Sequence, residues 1–363
     1  MRKWLTLLSG CLCLYFSVYA QKKKDASQVP IPDNAPPMVK KAFDFLKTEN
    51  DPKYIEDHTK DITLRVFGTR KYNYYDIVDR GRKQEVLYRP NTPLNLGFGV
   101  NYKFVGINLA FNLPSINKVD KYGKTRGLDL QTHFYARKVV VDFYGQFYKG
   151  YYISNVKGLL NGLAPESEGK PVVRPDIHNL TLGLGVQYIF NDKRFSYRAA
   201  YLQNDYQKKS AGSFIIGAEV FGVRMKGDSS LVPGNLAKSD FFNGQRFDRT
   251  KVISAAFNAG YAYTLVLNKH FFLTLSLTGS IGSNYTSLSL TPEDRKLRKF
   301  GLQLNNTERI SLGYNSSRYF AGIHYVNITM RSTSPVPDTY LRVGAGDFRV
   351  SVARRFKLKK KLF

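Results

Sequence analysis

Cysteine occurs only at positions 11 and 13 of this 363-residue chain. Everything beyond the first residues therefore lacks disulfides, thiolate metal sites and a cysteine nucleophile. Tryptophan is nearly absent, with one residue against 25 Tyr and 25 Phe. No run of about 18 apolar residues follows the N-terminus, which excludes a helical membrane span. The five histidines, His58, His133, His178, His270 and His324, stand at spacings that suggest no metal site. No cofactor is expected. The H-E-x-x-H, G-x-S-x-G and EF-hand patterns are missing. Gly123-Lys124-Thr125 looks like the end of a phosphate-binding loop, but Lys118 stands where that loop needs glycine.

Period-two alternation is what the chain does have. From Gly127 to Tyr148, Leu128, Leu130, Phe134 and Ala136 share one face, while Asp129, Gln131, His133, Tyr135 and Arg137 share the other. After the Arg137-Lys138 step, Val139, Val141, Phe143 and Phe147 alternate with Asp142, Tyr144, Gln146 and Tyr148. Two adjoining runs of this kind fit a transmembrane β-hairpin, apolar toward lipid and polar toward a lumen.

The first residues read as an export signal. Arg2 and Lys3 precede an apolar stretch from Trp4 to Val18, and Val18-Tyr19-Ala20 offers a cleavage site before Gln21. Leu8-Ser9-Gly10-Cys11 also matches a lipid-attachment box, though its apolar core is short and the apolar run continues beyond it. Formal charge is 55 − 28 = +27, or +25 without Arg2 and Lys3. In an exported protein such a balance points to outer-membrane lipids and lipopolysaccharide phosphates rather than nucleic acid. Much of it sits in expected turns and tails, where solvation alone accounts for it.

Residues 21–60 are Pro-rich, then amphipathic at Met38–Lys47, and read as a periplasmic tail with one short helix. Strands are expected from Asp61 onward: over 62–78, 94–102, 105–112, the central hairpin, 179–190, 195–204, 213–224, 251–267, 271–284, 307–314, 318–330 and a last strand ending at Phe356. Stretches 154–177, 225–250 and 285–306 read as loops. Short turns at 103–104, 137–138, 191–193, 268–270 and 315–317 alternate with these longer connections, as in outer-membrane barrels. The expected fold is all-β: a single antiparallel transmembrane barrel of about 12–14 strands over 61–356, followed by the basic tail 357–363.

The polar faces supply the candidate site. Asp129, Gln131, His133, Tyr135 and Arg137 share a row; Asp142, Tyr144 and Gln146 come from the next strand, and Arg198 and Glu219 from polar positions nearby. A hydrogen-bonded network filling the lumen is the favoured reading. The rival is a membrane-embedded hydrolase or lipid-modifying enzyme, with His133 as base and Asp129 or Asp142 orienting it.

Four stretches carry a family resemblance: LYRPNTPLNLGFGVNYK (87–103), INKVDKYGKTRGLDLQTHFYARK (116–138), DFYGQFYKGYYISN (142–155) and YLQNDYQKKSAGSF (201–214). They are similar to domain-of-unknown-function family 4421, over roughly residues 50–356. The resemblance implies an uncharacterised outer-membrane barrel of Bacteroidota type, inserted by the barrel-assembly machinery. It hands over no catalytic or binding residue. The expected role is accordingly a non-enzymatic channel or a surface or structural protein.

Overall fold

The computed structural model describes residue 37 and residues 49–102, 105–112, 119–155, 171–234 and 240–358. The signal peptide, the tail helix over 38–47, the 103–104 turn and most of the basic tail lie outside the described residues. In chain order the strands are β1 (Ile55–Asp57), β2 (Ile62–Asp79), β3 (Gln84–Arg89), β4 (Asn95–Tyr102), β5 (Val105–Asn112), β6 (Arg126–Tyr135), β7 (Val139–Ile153), β8 (Val173–Ile189) and β9 (Asp205–Gln207). They continue as β10 (Ala211–Lys226), β11 (Phe247–Leu267), β12 (Phe271–Leu290), β13 (Lys296–Asn315), β14 (Tyr319–Thr333) and β15 (Thr339–Phe356). Among the described residues two short α-helices intervene, α1 (Val119–Tyr122) and α2 (Tyr197–Tyr201), with a 3-10 turn at Phe241–Gly244.

Thirteen strands share one antiparallel sheet, and ten of them close into a ring. The ring runs β2–β15–β14–β13–β12–β11–β10–β8–β7–β3 and back to β2. Closure gives each ring strand a neighbour on both sides, as a lipid setting demands, though β3 meets β7 through only two residue pairs. Below the short β3 bridge, β4 and β5 extend from β2, while β6 extends from β7. Among the described residues β5 and β6 share no ladder; Lys71 of β2 instead reaches Asp129 of β6 at 3.3 Å. β1 and β9 form a separate two-stranded ladder at the short-turn end.

Alternation fixes which side each residue faces. Leu130, Phe143, Leu184, Leu275 and Val352 are exposed on the outside, whereas Asp142 and Gln187 are buried within. An outer wall of this composition is stable against lipid, not water. A polar cluster interrupts this wall where Glu308 shares the outer face with Leu277. Asn306 donates to Glu308 at 2.9 Å, and Asn327, Tyr325 and Tyr72 continue the polar cluster. Gly344 and Gly346 give the Tyr74 and Tyr72 rings space to lie flat there, because a Cβ at either glycine would overlap them.

Three expectations need correction. The closed ring has ten strands rather than about 12–14, because β4, β5 and β6 branch from it instead of joining it. Residues 195–204 are not a strand. Ser196 caps α2, its hydroxyl accepting from the Ala199 amide at 3.2 Å, and the following turn folds into the barrel mouth. The alternation of Phe195, Tyr197 and Ala199 imitates a strand, but Arg198-Ala199-Ala200 has good helix formers and a serine cap. Residues 285–306 are not a loop either: β12 runs to Leu290 and β13 starts at Lys296. Their Ser, Thr and Asn content hides the period. These strands are 20 residues long, against about 9–11 needed to cross a bilayer, so their far halves stand clear of it.

The outward row is directly testable. Leu184→Arg places a cation near the middle of the apolar belt and should cost about 2–4 kcal/mol of stability in refolding into lipid vesicles. An unchanged midpoint would mean that this face does not meet lipid.

Candidate functional site: the packed lumen

Inward-facing residues form three layers. At the long-loop end the lumen holds an apolar core including Tyr75, Tyr144, Tyr148, Phe221, Met225, Ile328 and Val343. The segment between β10 and β11 closes over it with Leu231, Val232, Phe241 and Phe242, all fully buried. Asp79 fastens this cap by accepting from the Phe242 amide at 2.8 Å.

The middle layer is polar. Arg309 of β13 is fully buried; it pairs with Asp142 and donates to Gln187 at 3.3 Å. His133 Nδ1 lies 2.7 Å from the other oxygen of Asp142. Glu219 accepts from Asn258 at 3.3 Å and from Asn305 at 2.5 Å. Gly217 is required beside them, since a Cβ there would meet the Asn258 side chain and the Val186 carbonyl. Next to this group Asp129 accepts from Tyr148 at 2.6 Å, Gln146 at 2.8 Å and Gln131 at 3.2 Å. Such buried charges persist because each meets an opposite charge or a set of donors.

At the short-turn end α2 and its flanks plug the mouth. Phe195, Tyr197 and Tyr201 pack with Tyr135, Phe272 and Phe320. Tyr197 shares a hydrogen bond of 2.6 Å with Ser276, and Gln203 is held by Arg65, by Arg355 and by His324. His324 also meets Ser311 at 2.9 Å and Ser351 at 3.0 Å.

Asp142, His133, Asp129, Gln131 and Gln146 therefore come together, with Tyr144 on their apolar side and Tyr135 on their aromatic side. Glu219 joins the same layer through Asn258, which Gln187 also contacts at 3.4 Å. Arg137 and Arg198 stand elsewhere. They bind the plug from the short-turn end: Arg137 reaches Asp57 at 2.6 Å and Asp205 at 3.5 Å, and Arg198 reaches Asp205 at 3.6 Å. Sequence reasoning overlooked Arg309, Asn258, Asn305 and Gln203. Arg309 does alternate with Thr307 and Ser311, but Glu308 beside it is also charged and blurs the contrast between the faces. Gln203 belongs to a plug that no periodicity announces.

His133 rests between the rings of Tyr135 and Tyr144, at 6.1 and 6.0 Å. Asp142, which would orient it as a base, is already neutralised by Arg309. Chemically this is a clamp joining β6, β7 and β13. Among the described residues no group of three or more His, Cys, Asp or Glu could hold a metal ion.

Fold and site together define a transmembrane β-barrel whose described lumen residues pack as an apolar cluster at each end with a polar layer between them. Residues 49–356 match the family model described as a domain of unknown function, DUF4421, and the chain belongs to that family. No curated protein matches the sequence. Among solved structures, the chain is similar to the outer membrane protease OmpT of Escherichia coli at 8% identity and TM-score 0.37, covering 83% of this chain and 98% of that one. It is similar to the translocator domain of the autotransporter NalP of Neisseria meningitidis at 7% identity and TM-score 0.31, covering 83% and 90%. For the outer membrane protein OprG of Pseudomonas aeruginosa the values are 12%, 0.21, 82% and 97%.

Breaking the clamp on one side should be costly. Arg309→Met leaves Asp142 buried without its cation, an expected loss of about 3–5 kcal/mol in denaturant unfolding. Adding Asp142→Asn should restore part of that loss, and strictly additive losses would mean the two residues are not coupled. Acid should loosen the plug. Burial works to raise the Asp57 carboxyl, but Arg137 and the Thr59 hydroxyl and amide outweigh it and hold its pKa below the usual value. A depressed folded pKa means the contribution is present above about pH 4 and fades as pH falls through the folded value. Amide-exchange protection over 55–61 should drop in that window, and Arg137→Gln should abolish the step.

Proposed function

We propose that this protein is a non-conducting outer-membrane barrel with a surface or structural role. The observation that supports this reading most is the double closure of the lumen, by the Phe241–Phe242 cap at one end and the α2 plug at the other. In this reading the short turns face the periplasm and the long loops face outward, the usual arrangement of such barrels. The export signal expected over residues 1–20 agrees with that placement.

The channel version of the role requires both closures to move at once. The enzyme version requires His133 to be available as a base, whereas its one resolved carboxylate partner is committed to Arg309. An interior packed with aromatic rings at both ends serves a barrel whose working surfaces are its wall and rims.

In planar bilayers the purified protein should give a flat current trace over a range of voltages. Stable unitary conductance would sink the sealed-barrel reading. His133→Ala should lower the unfolding midpoint without removing any hydrolytic turnover of lipid or peptide substrates.

A further inference from the structure

Toward the long-loop end, β10 and β11 carry four cations as a block on the outer wall. Arg224 lies directly opposite Lys251, and Lys226 directly opposite Arg249. All four alternate with buried residues such as Met225 and Thr250, so they share the outward face. His178 of β8 flanks the block, in register with Lys226. On the other side the rows pass through Ser287 and Ser289 to Arg298 and Lys296. Like charges directly across a ladder destabilise it unless something neutralises them. Arg342, elsewhere on the wall, is neutralised by Asp76 and by Glu85 at 3.0 Å. Among the described residues none of the four has a carboxylate within ion-pair distance. Nearby Asp176 is committed to Arg174 at 2.8 Å. The Arg249 Nε is shielded from solvent without any acceptor.

Membrane-ward of the block the wall is apolar without a break. Below Arg224 the outward row of β10 runs Gly222, Val220, Ala218 and Ile216. Below Lys251 that of β11 runs Ile253, Ala255 and Phe257. Gly222 lies between Leu182 and Ile253, which are 52% and 49% exposed. A Cβ at Gly222 would meet nothing within 4 Å, so the wall has a notch there with Arg224 next along the strand. Several cations above an apolar notch suit a ligand with phosphates at one end and acyl chains at the other.

We propose that the block and the notch bind a phosphorylated glycolipid of the outer leaflet. Its phosphates lie among Arg224, Lys226, Arg249 and Lys251, and one acyl chain follows the notch at Gly222. A headgroup with a single phosphate would leave most of the block unneutralised, which favours a ligand with two. The leaflet rests on the orientation proposed above, with the long-loop end outside.

The test uses the full mature protein in zwitterionic detergent, with lipid adducts counted by native mass spectrometry. Lipid A with both phosphates should be retained, less so as salt rises. Arg224→Gln combined with Lys251→Gln should weaken retention roughly tenfold or more. Gly222→Leu should weaken it too, by filling the notch without altering charge. Without lipid, the double variant should unfold at a midpoint no lower than the parent protein, because repulsion is relieved. Adding lipid A should raise the parent's midpoint and leave the variant's unchanged. Equal retention by the double variant, or of lipid A stripped of its phosphates, overturns the site. Retention indifferent to Gly222→Leu overturns the notch, and a preference for phosphatidylglycerol overturns the glycolipid. Orientation is read separately: Glu293→Cys, at the β12–β13 turn, should react with an impermeant maleimide on intact cells. Protection there would overturn the leaflet. Conductance in bilayers would bear on the sealed-barrel reading alone and leave the adduct ratios interpretable.

Discussion

Backbone hydrogen bonding in a medium without water is the constraint on which this structure depends. Lipid offers no partner to a free amide or carbonyl, so the strands must satisfy one another around a closed ring. Once the ring is closed, the pleat sends alternate residues to opposite environments, and composition follows. Leu184 and Val186 face out while Gly185 and Gln187 face in, and the same split holds on β12 and β15. Closure here passes through β3, a six-residue strand joined to β7 by only two residue pairs. The ring's ladder is therefore shortest at β3, above the level where the β4–β5 hairpin extends from β2 and β6 from β7.

Ring size then dictates the interior. Eight strands enclose a space that side chains alone can fill, and sixteen or more leave an aqueous channel. Ten strands fall between, and this chain fills the surplus with backbone from two connections. One connection brings Phe241 and Phe242 over an apolar core; the other brings α2 and Gln203 into the opposite mouth. Both insertions bury aromatic rings on the inside, and lumen residues anchor them: Asp79 holds the Phe242 amide, and Arg65 and Arg355 hold Gln203. The result is packed like a soluble core turned about by a lipid-facing skin.

Much of this was legible in the sequence because alternation survives wherever one face meets lipid. The central hairpin, β8 and β15 could be read residue by residue, and so could the closeness of His133 and Asp142, which lie opposite in the β6–β7 register. Reading failed where period two ceased to carry information. Above the bilayer both faces of β12 and β13 are polar enough that Ser, Thr and Asn runs resembled a loop. Inside the mouth, α2 borrowed an alternating pattern while its capping serine set a helix. Contacts between distant strands were invisible as well: Arg309 meets Asp142 across 167 positions, and single-strand periodicity holds no record of that.

The polar middle layer has a further consequence for uniqueness. Ladder hydrogen bonds alone would tolerate a strand shifted along its neighbour. A shift of one residue exchanges the two faces of a strand, sending its lumen row into lipid and its leucines into the interior. For β13 such a slip would carry Arg309 into the hydrocarbon, a penalty of about 2–4 kcal/mol for the arginine alone before counting the orphaned Asp142. Apolar residues in that layer would impose a far weaker penalty, because either face would then suit lipid. Buried charge at mid-membrane depth thus works against wrong registers as much as for the right one. It does so where the strands have the fewest other distinguishing features.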